Sequence, residues 1–431
     1  MEFSKTILSR SISVASYFST LVLVFFLPFK DDFLPVIISV WVLIWLFELN
    51  FKTRFKYLPS KLLYLLFLTY FLLTLFSTLL QVPFSEGIQA IQLKLSFVLF
   101  PLIFAGANPT IKNNHKSIFW AFILGNLAAS LLCIFIALGQ HLHFQSGHIT
   151  LEYWIDPYYK KYSFFDLINL RANSFSYIHL SRFLHPSYFS MYLNFSLVLL
   201  YWLYKYKWIK RNYVKIFSLF TGFIFLLMIY LLQSRAGLIS FIITLVILGV
   251  SELMKYRKRH QIIVFVILFV SVAIAIGNNK QFRMSVKDSI EILDNKDQLT
   301  LQKCDARLQT IYASYCVIRE NFWFGTSPAA LETELVKKYH QFHLSFAEKE
   351  KLNAHNQYLE TFAGLGIFGF INLIGLLFYL ALYAFRQRSF ILMELAGLLS
   401  VNFIFESMLN RISGVIFMMV FVGLLIYARP K

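Results

Sequence analysis

Long apolar runs alternate with short polar connections along almost the whole chain. Runs of roughly 17–25 residues fall near 12–29, 33–50, 60–80, 88–105, 117–140, 186–204, 213–233, 236–251, 261–277, 360–385, 389–407 and 412–428. About 20 apolar residues are what a helix needs to cross a hydrocarbon core of about 30 Å. The pattern predicts an all-α fold: a single polytopic integral membrane domain over 1–431 with about 12 transmembrane helices. The first run follows Lys5 and Arg10, and no small-residue cleavage site precedes Lys30-Asp31-Asp32. It reads as a retained first helix rather than a removable signal.

Two connections break the rhythm. One is 141–185, rich in Tyr, Ser and His; the other is 278–354, with 11 basic and 10 acidic side chains. Loops of that length are usually functional. Within the second, Leu308, Ile311, Tyr315, Ile318 and Phe322 recur at helical spacing, which predicts an amphipathic helix over 303–321 lying against the membrane or the bundle. Gly325-Thr326-Ser327-Pro328 ends it, and a second helical stretch over 329–351 follows.

Composition agrees with the pattern. The chain is 58% hydrophobic and 14% charged, with a mean hydropathy of +0.63, against about 45–50% and about 25% for soluble domains. The formal charge of +18 raises the question of a nucleic-acid partner, but its placement answers otherwise. With the N-terminus inside, the connections read as cytoplasmic carry 21 Lys and Arg, whereas the four short outer ones carry three: Lys30, Arg235 and Arg411. Basic residues gather on the cytoplasmic side of membrane proteins. The asymmetry puts both termini in the cytoplasm and 278–354 outside, between helices nine and ten, and no nucleic-acid partner is expected. Of three cysteines, Cys304 and Cys316 share the predicted helix, about 18 Å apart at 1.5 Å per residue, so no disulfide is expected between them.

Charges at the membrane edge are the first candidates for chemistry, because each is costly in lipid and tends to face a cavity. Ser234-Arg235-Ala236-Gly237 sits at the tight outer turn between helices seven and eight. There a guanidinium can grip a phosphate with two parallel hydrogen bonds, or simply snorkel to headgroups. Lys94, two turns into helix four, reads as a second phosphate ligand or as the partner of a buried acid. Glu406 and Arg411 flank the last outer turn and are expected to pair. Where the large loop re-enters the membrane stands Ala354-His355-Asn356-Gln357-Tyr358-Leu359-Glu360, followed by Gly364, Gly366 and Gly369. An imidazole with an unperturbed pKa near about 6.5 suits a general base at neutral pH; the plainer role is to cap the helix. His141, His143 and His148 lack a cysteine or carboxylate at ligand spacing, and Asp31-Asp32 occupies a turn of only a few residues, so no metal site is expected.

Taken together these parts resemble the O-antigen ligase and polymerase family, membrane glycosyltransferases that use polyprenyl-diphosphate-linked sugars. The likeness spans the whole topology and is carried by Ser234-Arg235-Ala236-Gly237, by Arg307 heading the amphipathic helix, and by His355-Asn356 with Leu359, Gly366 and Gly369. Two positions depart from the family pattern: Phe322 stands for a proline and Ser327 for the second glycine of the loop turn. The resemblance implies that Arg235 and Arg307 hold the donor diphosphate, with Arg182 as a lesser candidate beside Lys94, which is a candidate by its position alone. It makes His355 the base that takes the acceptor's proton, supported by Asn356 and Ser234.

The implied activity is metal- and cofactor-free inverting transfer of a glycan from a carrier such as undecaprenyl diphosphate to an acceptor hydroxyl. The site would face the periplasm from the inner membrane. Ligation onto lipid A-core is the favoured reading; a repeat-unit polymerase acting on a growing glycan is the nearest alternative, and a protein-glycosylating transferase the third. A 12-helix transporter or lipid-linked-sugar flippase is the rival from another class. That rival expects similar halves and charges near the bilayer midplane, whereas the candidate polar residues here gather at the outer edge.

Overall fold

The computed structural model describes residues 2–48, 60–145, 148–256, 270, 302 and 304–428. The principal helices among them are α1 (Glu2–Phe26), α2 (Leu34–Phe47), α3 (Lys61–Gln81), α4 (Phe84–Ala105), α5 (His115–His141), α6 (Pro186–Lys205), α7 (Asn212–Leu231), α8 (Arg235–Tyr256), α9 (Ala306–Glu320), α10 (Leu331–Gln341), α11 (Gln357–Arg386), α12 (Phe390–Phe405) and α13 (Ile412–Val422). The protein is mostly helical, as the periodicity predicts. Among the described residues a small antiparallel hairpin, β1 (Leu142–Gln145) on β2 (His148–Leu151), departs from this within the first long loop.

Among the described residues five helices, α3, α4, α5, α7 and α11, are long and apolar enough to cross a membrane, and 11–26, α2, 235–250, α12 and 412–427 form shorter apolar helices. The protein is a multi-pass membrane protein of the all-α class. α6, expected as a span over 186–204, buries most of its side chains. The ninth expected span, 261–277, lies outside the described residues, as does most of 278–303. The tally of about 12 therefore rests on hydropathy.

The backbone falls into two compact units, each gathered from segments distant in sequence. One comprises 1–57, 103–280 and 424–431. In it α1 packs against α2 and α5, and α6 packs against α5, α7 and α8. The α6–α8 approach is close: Asn194 Nδ2 donates to the Gly237 carbonyl at 2.9 Å, and a Cβ at Gly237 would fall 2.3 Å from that of Ser190.

The other unit comprises 58–102 and 281–423. At its centre α11 packs against α3, α9 and α12, while α10 packs on α9. Leu331, Leu335 and Tyr339 of α10 share a core with Ala313 and Val317 of α9. The buried Tyr339 phenol donates to the Leu352 carbonyl at 2.9 Å, and burial pushes its pKa up. That hydroxyl therefore stays protonated and holds the chain leading into α11.

α9 begins at Ala306 rather than 303, capped by the Asp305 carboxylate accepting from the Arg307 amide at 3.0 Å. The sequence left this helix lying against the membrane or the bundle, and the structure shows which side chains pack inward. Thr310, Ala313, Ser314 and Val317 face inward, while Ile311, Tyr315 and Phe322 are exposed. Small side chains let α9 sit close to its neighbours; of the apolar stripe, Ile318 packs inward with them, while Ile311 and Tyr315 point away. Cys133, Cys304 and Cys316 form no disulfide.

α11 is two helices joined at Gly366, whose φ of 64° and ψ of −165° interrupt the helix. The turn after α9 docks on this break through Thr326 N–H to the Ala363 carbonyl and Ile367 N–H to the Phe322 carbonyl, both 2.9 Å. A Cβ at Gly366 would fall 2.1 Å from the Trp323 carbonyl oxygen, and one at Gly325 (φ 68°) 2.4 Å from the Gly364 carbonyl carbon. The glycines thus admit a loop turn to the helix backbone. Ser327, standing where the family pattern has glycine, holds a φ of 71°, the left-handed region glycine occupies most readily.

Candidate active site

The second unit gathers a site where α11 begins. Asn356 caps the helix: its Oδ1 accepts from the Tyr358 and Leu359 amides at 2.9 and 3.0 Å. The preceding Asn353 accepts from the His355 amide at 2.9 Å, and His355 itself takes a φ of 46°, a conformation uncommon outside glycine and found at functional turns. The two asparagines satisfy the local backbone, so the histidine is released from the capping role and its ring is available for other work.

That ring meets Glu406. His355 Nδ1 lies 3.2 Å from Glu406 Oε2, and Arg307 donates from a terminal guanidinium nitrogen to Glu406 Oε1 at 3.0 Å. Glu406 is only 4% exposed, and the His355 and Arg307 side chains are about one-quarter exposed. A buried carboxylate between two groups that can be cationic is well compensated, and the two partners keep surface toward solvent. The sequence expectation paired Glu406 with Arg411. Its two carboxylate oxygens turn instead to residues 99 and 51 positions away, because Glu406 ends α12 in an extended conformation that points it back across the α11 entry.

Behind this trio a polar network laces the 406–410 turn to α11. Glu360, 6% exposed, accepts from the Ala354 amide at 2.9 Å and the Ser407 hydroxyl at 3.1 Å, and also from Asn410. The Leu409 amide donates to Gln357 Oε1 at 2.6 Å, and Gln357 Nε2 donates to Thr361 at 3.0 Å. Buried polar groups of this kind hold one arrangement because each would be costly to leave unmade. Lys94, 3% exposed, donates to the Leu409 carbonyl. With Tyr70, Gln357, Glu360, Thr361 and Asn410 it lines a small cavity. Of the two roles the sequence allows Lys94, its place beside buried Glu360 favours partner of an acid.

Arg235, Ser234 and Arg182 belong to the first unit. Ser234 precedes α8 and its Oγ accepts from the Gly237 amide at 3.1 Å, so Arg235 is the first residue of that helix, at its positive end, where anions are stabilised. The turn is braced by Arg171, which donates to the Gln233 carbonyl at 2.7 Å and lies 4.0 Å over the Tyr177 ring. Arg182 donates to Gln140 Oε1. It also helps, after burial, to hold the nearby His179 below the usual imidazole range. His185 caps α6. Lys30 pairs with Asp32 at 2.8 Å, and among the described residues no group of three or more His, Cys, Asp or Glu is placed to hold a metal ion.

A comparison with protein families matches residues 220–374 to the O-antigen ligase family. Over that stretch the chain is similar to the O-antigen ligases. No curated protein matches the chain. The O-antigen ligase match takes in Ser234-Arg235, Arg307 and His355-Asn356, whereas Lys94, Arg182 and Glu406 fall outside it. Sequence reasoning missed Glu406 as the partner of His355 and Arg307, and it missed Glu360 and Gln357 as the struts beneath. An acid next to an arginine five residues on gave the nearer pairing; only the fold shows the farther one. Asn353 and Asn356, flanking the histidine, were the legible sign that His355 does not cap.

Proposed function

We propose that this O-antigen ligase-type protein is an inverting glycosyltransferase that needs no metal, with Arg307, Glu406 and His355 in its active site. The supporting observation is the convergence of a guanidinium and an imidazole on one buried carboxylate, at a helix entry that opens toward solvent. If Nδ1–H of His355 donates to Glu406, Nε2 carries the lone pair and faces away from the carboxylate. In the reaction an acceptor hydroxyl oxygen attacks the anomeric carbon of the donor sugar. Its proton passes to Nε2, the bond from that carbon to the diphosphate oxygen breaks, and the electron pair leaves on the diphosphate. Glu406 then faces an imidazolium, which its negative charge stabilises.

A diphosphate is already a good leaving group, so the remaining demand is charge stabilisation on it, which preorganised cations supply. Arg307 beside Glu406 is the candidate ligand in this site, and the family resemblance adds Arg235 as a second. In this reading the donor is a polyprenyl-diphosphate-linked glycan and the acceptor lipid A-core. The protein sits in the inner membrane with both termini cytoplasmic and the site periplasmic, in line with the Lys and Arg asymmetry.

The glycan pattern of a deletion strain tests the proposal. Loss of a ligase leaves the acceptor bare and long glycan stranded on the lipid carrier. Loss of a polymerase leaves a single repeat unit on the acceptor and would replace the ligase reading. An unchanged pattern would contradict both.

A further inference from the structure

The turn after α9 carries Phe322, Trp323 and Phe324 in succession, and all three are exposed, Trp323 by 62% and Phe324 by 73%. Three adjacent aromatics held in water would be costly. They are also held rigidly: the turn is hydrogen-bonded to α11 on both sides of Gly366. The Phe324 ring lies 5.9 Å from that of Phe368, the first of a row of exposed apolar residues running down α11 through Ile371, Phe378 and Phe385. That row belongs to a helix apolar enough to span a membrane. The aromatic turn is therefore continuous with a lipid-facing surface.

Length fixes the level. Below the break, Ile367–Arg386 is 20 residues, about 30 Å at 1.5 Å per residue, which is the thickness of a hydrocarbon core. Above it, Gln357–Leu365 carries the polar network and the histidine turn, which a hydrocarbon setting would penalise. The break at Gly366, and the aromatic turn locked to it, thus fall where hydrocarbon meets headgroups. Trp and Tyr concentrate at that level in membrane proteins. α9, which leads into the turn, exposes Ile311, Tyr312 and Tyr315 as well, and exposed Arg319 lies 6.0 Å over the Tyr315 ring, suited to reach lipid phosphate.

We propose that Phe322–Phe324 and the outer stripe of α9 dock into the bilayer interface, anchoring the loop that carries Arg307 at the depth where a lipid-linked diphosphate resides. The anchoring holds whatever reaction the site performs; only the last clause rests on the proposed activity. The amphipathic pattern left membrane and bundle equally open for this helix, and the exposed stripe selects the membrane.

Spin labelling tests it in the full chain, with Cys133→Ala, Cys304→Ser and Cys316→Ser as background, in nanodiscs of phosphatidylethanolamine and phosphatidylglycerol. Nitroxides are placed at Trp323→Cys and separately at Phe324→Cys, with Phe378→Cys, exposed well below the break, as the span reference and Lys349→Cys as the loop reference. Relaxation by oxygen should exceed relaxation by a water-soluble nickel chelate at 323 and 324, with the ratio between those of the two references. A ratio at either position equal to that of Lys349→Cys would overturn the docking. So would low collision with both reagents, which would mean that protein covers the patch. Either label position reports alone if the other variant fails to fold.

Discussion

His355 and Glu406, 51 residues apart in sequence, face each other across the entry of α11, with Nδ1 of the ring 3.2 Å from a carboxylate oxygen. The other oxygen takes a hydrogen bond from Arg307. One carboxylate thus sets the orientation of an imidazole and of a guanidinium, so the two act as a unit whose geometry depends on a third residue. Glu406 is a positioning residue in this account, since it contacts the groups that would touch substrate.

Glu406→Gln should therefore keep the fold and lose rate. The amide remains able to accept from Arg307 but no longer stabilises an imidazolium, and transfer should fall about 10²-fold, the lower end of what positioned acid–base groups contribute. Steady-state kinetics on the reconstituted protein would show the loss mainly in kcat and a changed pH profile. A purely structural role predicts lost expression or thermal stability with an unaltered pH profile in the surviving protein.

Arg307→Lys and Arg235→Lys should each express normally and transfer poorly. Lysine restores the charge but offers no planar fork for bidentate contact with phosphate. Transfer rates at equal expression provide the check. Wild-type rates in both variants would return these arginines to structural and headgroup roles, and would leave Arg307 as a partner of Glu406 alone.

Much of the fold was legible because apolar periodicity and length decide which segments cross a bilayer. The expected runs at 60–80, 117–140 and 213–233 recur as α3, α5 and α7 within a few residues. The site was legible in its residues but not in its connections. His355 and Arg307 carry their chemistry in their side chains, whereas the carboxylate joining them comes from the end of α12, and no local spacing encodes that meeting. The surface that α9 packs against stayed open between membrane and bundle for a related reason. Apolar residues on a membrane protein can point outward to lipid, and Ala313 and Ser314 pack inward because they are small. Gly325 and Gly366 let a loop turn approach the α11 backbone, and nothing in their spacing names that turn as the partner.

Gly366→Ala should be strongly destabilising. The substitution forces an L side chain into a φ of 64° and toward the Trp323 carbonyl. Backbone strain of that kind costs about 1–3 kcal/mol before any clash. Thermal unfolding in detergent should show a lowered Tm, and Gly325→Ala should do the same. Because both glycines serve one interlocked turn, the double variant should lose less than the sum of the two. Full additivity would mean that the turn and the α11 break are held independently.

The most direct measurement is single-turnover transfer by purified His355→Ala, with binding of the polyprenyl-diphosphate-linked donor followed in parallel. The account predicts a fall of about 10²–10⁴-fold in transfer with donor binding and thermal stability retained, because the arginines that would hold the diphosphate are untouched. Transfer at close to the wild-type rate would contradict it and remove His355 from the chemistry.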